Sequence, residues 1–346
     1  MNTKKVKLKD LAEILGLSTS TISKSLLGHT DVSAKTKQRV IEMARKLNYQ
    51  PDLFGKALRT KKTMTIGVII PNLVLDSSSN ILKGVIESAK KSGYRVIISE
   101  SQHDYFNEKE AIRFMINYKV DGILLSIARE SQNIDHILDV GYDTPLVLMD
   151  KVSNKTPLTK VVVDEEIGAY KAVEHLLEQN RRRIVIIKED SKTSNSENRF
   201  NGYLKAFRAR GIEIDQALIK ECHNMTIEDG FRLTSSLFEQ GIPFDGLFGL
   251  TDNVAIGAMK AIKKYGLRIP QDIAVVGFSN SKSAAIVEPS LSTVSQPCYE
   301  MGKHAVNYLI DEMKTDDGLP HNRTVELKTK LIVRDSSQII PELNGE

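Results

Sequence analysis

The sequence predicts an α/β protein built as an N-terminal helix-turn-helix head of three helices, a hinge helix, and a two-lobed core of parallel sheets. Three observations carry that reading. Apolar residues recur at helical spacing across residues 7–47, with the first two helices meeting at one glycine, Gly16. From Thr65 onward, β-rich apolar runs alternate with helical stretches, the order required by parallel sheets wound through right-handed crossovers. The core also repeats itself: "GVIESAKKSG" (Gly84–Gly93) corresponds to "GYLKAFRARG" (Gly202–Gly211), and "VDGILLS" at Val120 to "FDGLFGL" at Phe244. A repeat of this length points to two similar lobes, with one long Rossmann-type enzyme as the alternative.

In the head, Leu8, Leu11, Ala12 and Leu15 place an amphipathic helix over Lys7–Leu15. Gly16 can take the left-handed conformation that ends it. Ser18 suits the N-cap of a second helix, Thr19–Leu27, buried through Ile22 and Leu26. After a loop at Gly28–Val32, Ser33 caps a third helix, Ala34–Leu47, buried through Val40, Ala44 and Leu47. A small residue (Ala12), a glycine turn and a branched packing residue (Ile22) make the helix-turn-helix, whose second helix enters the DNA major groove. Its exposed face carries Thr19, Ser20, Ser23 and Lys24. Short hydroxyls permit close approach to phosphates and base edges, and a lysine can donate to guanine. A small protein-binding module of three helices is the alternative.

Charge is distributed unevenly. Residues 1–62 hold fourteen Lys and Arg against five Asp and Glu, a net +9, while the whole 346-residue chain carries +4, so the remainder carries −5. A basic head on a mildly acidic body points to an electrostatic partner for the head alone, nucleic acid first; a solvated basic terminus is the plainer reading.

Then comes "NYQPDLFGKALRTKKT" (Asn48–Thr63). Pro51 breaks the third helix, Asp52 can cap a new start, and Leu53–Arg59 has the length of two turns. With Gly55 inside it, so short a helix is not stable alone, and the stretch reads as a linker that folds when something holds it. The run from Val6 to Leu58 resembles the DNA-binding head and hinge of the lac repressor family (LacI/GalR). The resemblance implies that the hinge helices of a dimer pair in the minor groove, where Leu58 wedges the central base step and kinks the DNA. Lys7, Ser18, Ser33, Thr36, Tyr49 and Gly55 complete the expected DNA-contact set.

The core resembles the effector-binding core of the same family, which is similar to periplasmic sugar-binding proteins. The resemblance therefore spans Val6 to about Asp335, and its most specific stretches are "NRFNGYLKAF", "DNVAIGAMKAIKKYGLRIPQDIAVVGF" and "PSLSTVSQP". It implies three crossings between lobes, placed near Val162, Leu291 and Val325. The expected domains are a head over 1–50, a hinge over 51–63, a core over 64–337 and a tail over 338–346. Within the core, the first lobe takes about 64–162 plus 292–324, and the second about 163–291 plus 325–337.

Catalytic signatures are lacking. No G-x-x-x-x-G-K-[ST] and no G-x-G-x-x-G occurs, and "GFSNS" at Gly277 has Ser281 where a nucleophile elbow needs its last glycine. The Cys222–His223 pair has no second ligand pair at zinc spacing, and Cys222 and Cys298 alone make no disulfide framework. The paired acids Glu165–Glu166 and Asp316–Asp317 read as solvated faces or loops. No cofactor or metal is expected. Apolar runs fall short of the ~18 residues that span a bilayer, and no apolar signal follows the basic start, so the expected location is the cytoplasm, without a membrane partner.

Polar residues at the C-terminal ends of strands are the better site candidates, because open α/β sheets bind ligands there. Asp150 ends "PLVLMD", Thr251 and Asp252 follow "GLFGL", Ser279 and Asn280 follow "IAVVGF", and Arg199 precedes the helix of Gly202. The resemblance places Asp150, Arg199, Thr251 and Ser279–Asn280 in the effector cleft, where an arginine can grip hydroxyls or a carboxylate. Asp252 reads equally as a helix N-cap, and Arg199 alternatively as a surface ion pair. Ser77 and Ser78 stand where the family carries a Pro-aromatic stretch, implying a more polar and larger pocket. Lys24 stands where the family often has arginine, losing the bidentate fork, and Leu27 where it has asparagine.

The sequence thus predicts a ligand-responsive transcription repressor. A homodimer would bind a pseudo-palindromic operator in double-stranded DNA under control of a small effector, a sugar or sugar derivative. The rivals are a solute-binding protein, which leaves the head unexplained, and a sugar-modifying enzyme, which lacks a catalytic motif.

Overall fold

The computed structural model describes residues 6–49, 62–131, 133–141, 144–190, 193–314 and 321–338. The hinge positions Gly55 and Leu58 and the acidic pair Asp316–Asp317 lie outside them. The chain divides into two compact units, Met1–Thr63 and Met64–Glu346.

The first unit has helices α1 (Leu8–Leu15), α2 (Thr19–Leu26) and α3 (Ala34–Lys46). Each lies within a residue of its expected bounds at either end. Gly16 ends α1 at φ 63°, and its N–H bonds back to carbonyls of Ala12 and Glu13, the left-handed cap that only glycine adopts without strain. Leu11, Leu15, Ile22, Val40 and Ala44 form a shared buried core.

The second unit holds two six-stranded sheets. In the first are β1 (Thr65–Ile70), β2 (Arg95–Glu100), β3 (Gly122–Leu125), β4 (Leu146–Met149) and β5 (Thr159–Val163), with β11 (Thr324–Leu327) at its edge. The second has β6 (Ile184–Glu189), β7 (Ile219–Cys222), β8 (Gly246–Gly249), β9 (Ala274–Ser279) and β10 (Ser292–Ser295), with β12 (Lys330–Ile332) at its edge. Their orders are β11-β5-β4-β3-β1-β2 and β12-β10-β9-β8-β6-β7. Every described pairing is parallel except β10 with β12. The first five strands of each sheet follow one order, second-first-third-fourth-fifth, so the sequence repeat is a repeat of topology.

The covering helices are α4 (Asp76–Lys91), α5 (Tyr105–Asn117), α6 (Asp135–Gly141), α7 (Glu165–Glu178), α8 (Ser194–Ala209), α9 (Ile227–Glu239), α10 (Asp252–Lys264), α11 (Lys282–Ile286) and α12 (Cys298–Glu312). On the first sheet, α4 and α12 share one buried cluster through Ile81, Val85, Met301 and Val306. Helices α5 and α6 share another through Ile112 and Ile137. The second sheet and its helices share a single core that includes Tyr203, Phe207 and Phe248.

Both repeated motifs have a physical reason. A Cβ at Gly84 would stand 2.1 Å from the Tyr299 carbonyl, and one at Gly202 would stand 2.3 Å from the Glu166 carbonyl. Each glycine lets the helix that follows the first strand of its lobe press its backbone against a neighbouring helix. Likewise Asp121 accepts the Met64 N–H just before β1, and Asp245 accepts the Arg182 and Arg183 N–H groups just before β6. Each aspartate fastens the third strand of a lobe to the start of its first.

The strand pairings correct the expected crossings. All of β5, through Val163, belongs to the first sheet because Val325 and Leu327 of β11 pair with it. The expectation near Leu291 moved residues 292–295 into the first lobe, but Ser292–Ser295 pair with Val276–Ser279 of β9 in the second sheet. That crossing therefore falls after Ser295, and the third falls between β11 and β12, at Lys328–Thr329, rather than near Val325. Apolar periodicity marks a strand but not its partner, so each boundary was drawn a few residues early.

Candidate functional site

In the head, Ser18 accepts the Thr21 N–H at 3.0 Å and Ser33 accepts the Thr36 N–H at 3.2 Å. Both serines cap their helices as expected. The Ser18 hydroxyl also bonds that of Thr21, and Ser33 that of Thr36, each at 2.8 Å. On α2, Thr19, Ser20 and Lys24 are exposed, Ser23 is half-buried, and Ile22 and Ser25 face inward. Ser25 turns its hydroxyl back onto the Thr21 carbonyl at 2.7 Å. The serine- and threonine-rich face therefore splits: one hydroxyl packs and the rest meet solvent. Lys24 forms an ion pair with Asp31, in the loop before α3. That contact with Lys24 holds the exposed Asp31 carboxyl below its ordinary value. Lys7 is exposed, and Tyr49 packs against the head core.

Between the two lobes of the second unit lies a cleft of about 910 Å³, near the upper end of the ~300–1,000 Å³ found for ligand pockets. Strand ends and helix starts line it. Of the expected residues, Ser77, Asp150, Arg199, Thr251, Asp252 and Ser279 line the cleft. Ser78 and Asn280 do not. Ser78 is turned into α4's buried side, and the Asn280 side chain is spent on Arg334 at 2.8 Å and Ser295 at 3.3 Å.

The lining backbone is strained. Gln102, His103, Asp150, Met225 and Ser279 all line the cleft with φ between 53° and 123°, a region costly for side chains with a Cβ. Such strain is held where surrounding structure imposes it, commonly at binding sites.

Arg199 is the most heavily engaged group. Its Nη2 donates to Glu165 Oε1 at 3.1 Å, its Nε to Oε2 at 2.5 Å, and its Nη1 to the Leu250 carbonyl at 2.5 Å. Its guanidinium lies 3.8 Å from the Phe278 ring centre. Neither a surface ion pair nor a free arginine describes it. The reading of Glu165 as solvated is also overturned, since it is 4% exposed. Burial pushes its carboxyl up against the pull of Arg199. Glu166, by contrast, pairs with Lys205 at the surface.

Asn195 joins this network, donating to Glu165 at 3.2 Å and across the cleft to Asp150 at 3.1 Å. Asp150 also receives Lys151 at 3.1 Å and Ser126 at 3.2 Å. Burial works to raise the Asp150 carboxyl, but Lys151 and Arg199 outweigh it, and the group lies below its ordinary value. Arg129 meets Glu189 across the lobes at 2.7 Å, while the Lys282 N–H donates to Asp76 at 2.8 Å.

Asp252 is not the cap of α10. Thr251 takes that role with the Val254 N–H at 3.4 Å. The buried Asp252 carboxylate instead accepts from Thr293 at 2.5 Å and the Ser281 N–H at 2.6 Å. Burial raises its carboxyl despite those bonds. His103 is also affected: burial, then Lys151 and Arg129, bring its imidazole down to about 4.

Sequence reasoning missed Glu189, Arg129, His103, Lys151 and Asn195. Glu189 was findable, because it ends β6 as Asp150 follows β4. Arg129, four residues past β3, carries no comparable signal. Among the described residues, no group of three or more His, Cys, Asp or Glu side chains is arranged to hold a metal ion, and no helix is long and apolar enough to cross a membrane.

Residues 7–52 match the family described as bacterial regulatory proteins, lacI family, and residues 173–337 match a periplasmic binding protein-like domain. Over 342 residues the chain is 30% identical to the HTH-type transcriptional repressor CytR of Escherichia coli (strain K12), covering 96% of this chain and 97% of that protein. Over 329 residues it is 30% identical to the ribose operon repressor of Haemophilus influenzae, covering 95% and 98%. A crystal structure of the lac repressor dimer bound to operator and the anti-inducer ONPF superposes with a TM-score of 0.88 at 25% identity, over 97% of this chain and 100% of that one. These relatives are transcriptional repressors, not enzymes.

Proposed function

Since the chain belongs to the lacI family of bacterial regulatory proteins, we propose that it represses transcription as a cytoplasmic homodimer whose operator affinity is set by a sugar or sugar derivative in the interlobe cleft. The observation that carries this reading is the union, in one chain, of a helix-turn-helix with an exposed hydroxyl and lysine face and a strained polar cleft bridged by both lobes. A solute-binding protein needs no such head, and the cleft's groups are engaged as ion pairs and hydrogen bonds rather than as a nucleophile with a base.

In this reading the two heads of a dimer meet successive major-groove faces about 34 Å apart. Thr19, Ser20, Ser23 and Lys24 read bases and phosphates, with Lys7, Ser18, Ser33, Thr36 and Tyr49 at the backbone and Gly55 and Leu58 in the hinge. The effector meets Ser77, Asp150, Arg199, Thr251, Asp252 and Ser279, to which we add Glu189, Arg129 and Asn195. A ligand changes DNA affinity only through a difference in its own affinity for two lobe arrangements. Glu165 bears on that difference. It follows the first crossing at Asp164, and Gln296, at the second crossing, donates to it at 3.3 Å. The grip of Arg199 on Glu165 therefore touches both crossings.

Selection of operator sequences from random DNA, followed by gel shifts with and without ligand, tests the proposal. A pseudo-palindromic consensus is expected, bound far more tightly than random DNA. Retention of all sequences alike would overturn sequence-specific repression.

A further inference from the structure

Resting on that reading of the cleft, we propose that the effector is an amine-bearing sugar, a cation rich in hydroxyls, rather than a phosphate, carboxylate or nucleoside. The cleft's charge balance is the first argument. Among the described residues, seven carboxylates line it against three permanent cations, Arg129, Lys151 and Arg199, and Glu165 stands behind as an eighth acid. Each of the three cations is already committed to a carboxylate: Arg129 to Glu189, Lys151 to Asp150 and Arg199 to Glu165. His103, held down to about 4 by burial and its cationic neighbours, is neutral at pH 7.

What is left over is negative. Asp76 and Glu100 have backbone N–H groups for partners, and Asp252 a hydroxyl and a backbone N–H. Glu130 and Glu228 are exposed on the rim. A cleft lined by one sign of charge focuses its field and concentrates ligands of the opposite sign. Among the described lining residues, an anion must break an existing ion pair to reach Arg129, Lys151 or Arg199; an ammonium group meets acceptors directly.

The second argument is what the lining lacks. Among the described residues no Phe, Tyr or Trp belongs to it, and its only aromatic rings are the small imidazoles of His103 and His223, so the broad aromatic face that best stacks a nucleobase is missing there. Amides and hydroxyls take their place, including Asn72, Gln102, Asn224, Asn253, Thr226 and Ser281. Such groups both donate and accept, as alternating sugar hydroxyls require.

The test uses the full-length chain and probes that share one ring and differ in charge: glucosamine, N-acetylglucosamine, glucose and glucose 6-phosphate, with the glucosamine disaccharide and cellobiose as larger partners. Calorimetry measures binding, and gel shifts on the selected operator measure the response. The amines are expected to bind at least tenfold more tightly than their neutral partners, with affinity falling as salt rises, and the phosphate not to bind. Glu130→Gln combined with Glu228→Gln is expected to cost the amines three- to tenfold and leave the neutral sugars unchanged. Tighter binding of the phosphate or a neutral sugar, or no binding by any amine, overturns the proposal. If a phosphate binds and shifts operator affinity, the effector class is wrong while the regulatory reading stands. If an amine binds and operator affinity does not move, the regulatory reading is what fails.

Discussion

Arg199 of α8 holds Glu165, the first residue of α7, through two hydrogen bonds at 2.5 and 3.1 Å, with both side chains under a tenth exposed. Removing one member of a buried pair strands the other's charge. Breaking such a pair typically costs about 3–5 kcal/mol, and Arg199 also loses the Leu250 carbonyl and the face of Phe278.

Arg199→Ala is therefore expected to lower the stability of the core as well as the ligand response. An arginine that only gripped ligand would give a different outcome, a lost response with stability untouched. Combining Arg199→Met with Glu165→Gln, which removes both charges, is expected to recover most of the stability and none of the ligand-dependent change in operator affinity. Urea unfolding with calorimetry separates the two effects. A single Arg199→Ala variant as stable as the parent would mean that the pair carries no net energy.

Lys24 gives a prediction about specificity. Its ammonium pairs with Asp31, and both side chains are about half exposed, so the pair is weak and can exchange for DNA. Lys24→Ala is expected to cost ~1–3 kcal/mol on the preferred operator and to relax base preference at one position. Asp31→Asn frees the lysine and is expected to strengthen binding to random DNA more than to operator. Binding titrations over a salt series decide: equal losses on operator and random DNA for Lys24→Ala would make it a phosphate contact.

The head was legible almost residue by residue because its determinants are local. Gly16 turns, Ser18 and Ser33 cap, and Ile22 and Val40 bury, each within a few residues of its cause. The two lobes were legible because the same solution appears twice, in Gly84 with Gly202 and Asp121 with Asp245. What escaped was set by partners far away in the chain. Whether Ser292–Ser295 joins the first or the second sheet depends on pairing with β9. Whether Glu165 meets water depends on Arg199, thirty-four residues later. Rules about strand ends find Asp150 and Thr251, but they also select Asn280, whose side chain a distant Arg334 removes from the cleft.

Helix contact in the first lobe gives a third prediction. A Cβ at Gly302 of α12 would stand 2.1 Å from the Ile81 carbonyl of α4, and the reciprocal position, Gly84, meets Tyr299. Backbone cannot swing aside as a long side chain can, so the helices must separate and uncover Val85 and Val306. Overpacking of this kind costs roughly 1–3 kcal/mol or more. Gly302→Ala is expected to lower the urea midpoint of the core clearly. By contrast, Gly211→Ala, with nothing within 4 Å of its Cβ and φ at +64°, is expected to cost only the ~1 kcal/mol of left-handed strain. Equal losses for the two variants would show that the α4–α12 approach is looser than its geometry implies.

The last prediction concerns pH. His103 titrates at about 4 in the folded core, lowered first by burial and then by Lys151 and Arg129, with Glu189 and Asp150 pulling the other way. An unfolded histidine titrates near 6.5. Between those values the unfolded chain binds a proton that the folded chain does not, so stability rises with pH across the window and is lost as pH falls from about 6.5 toward 4. His103→Gln removes this contribution. The variant is expected to lose less stability than the parent between pH 7 and pH 5 in urea unfolding. Lys151→Met, which removes a neighbouring positive charge, is expected to raise the His103 value, a shift readable from its ring resonances by NMR. A parent whose His103 titrates near 6.5 in the folded state would remove the basis of both expectations.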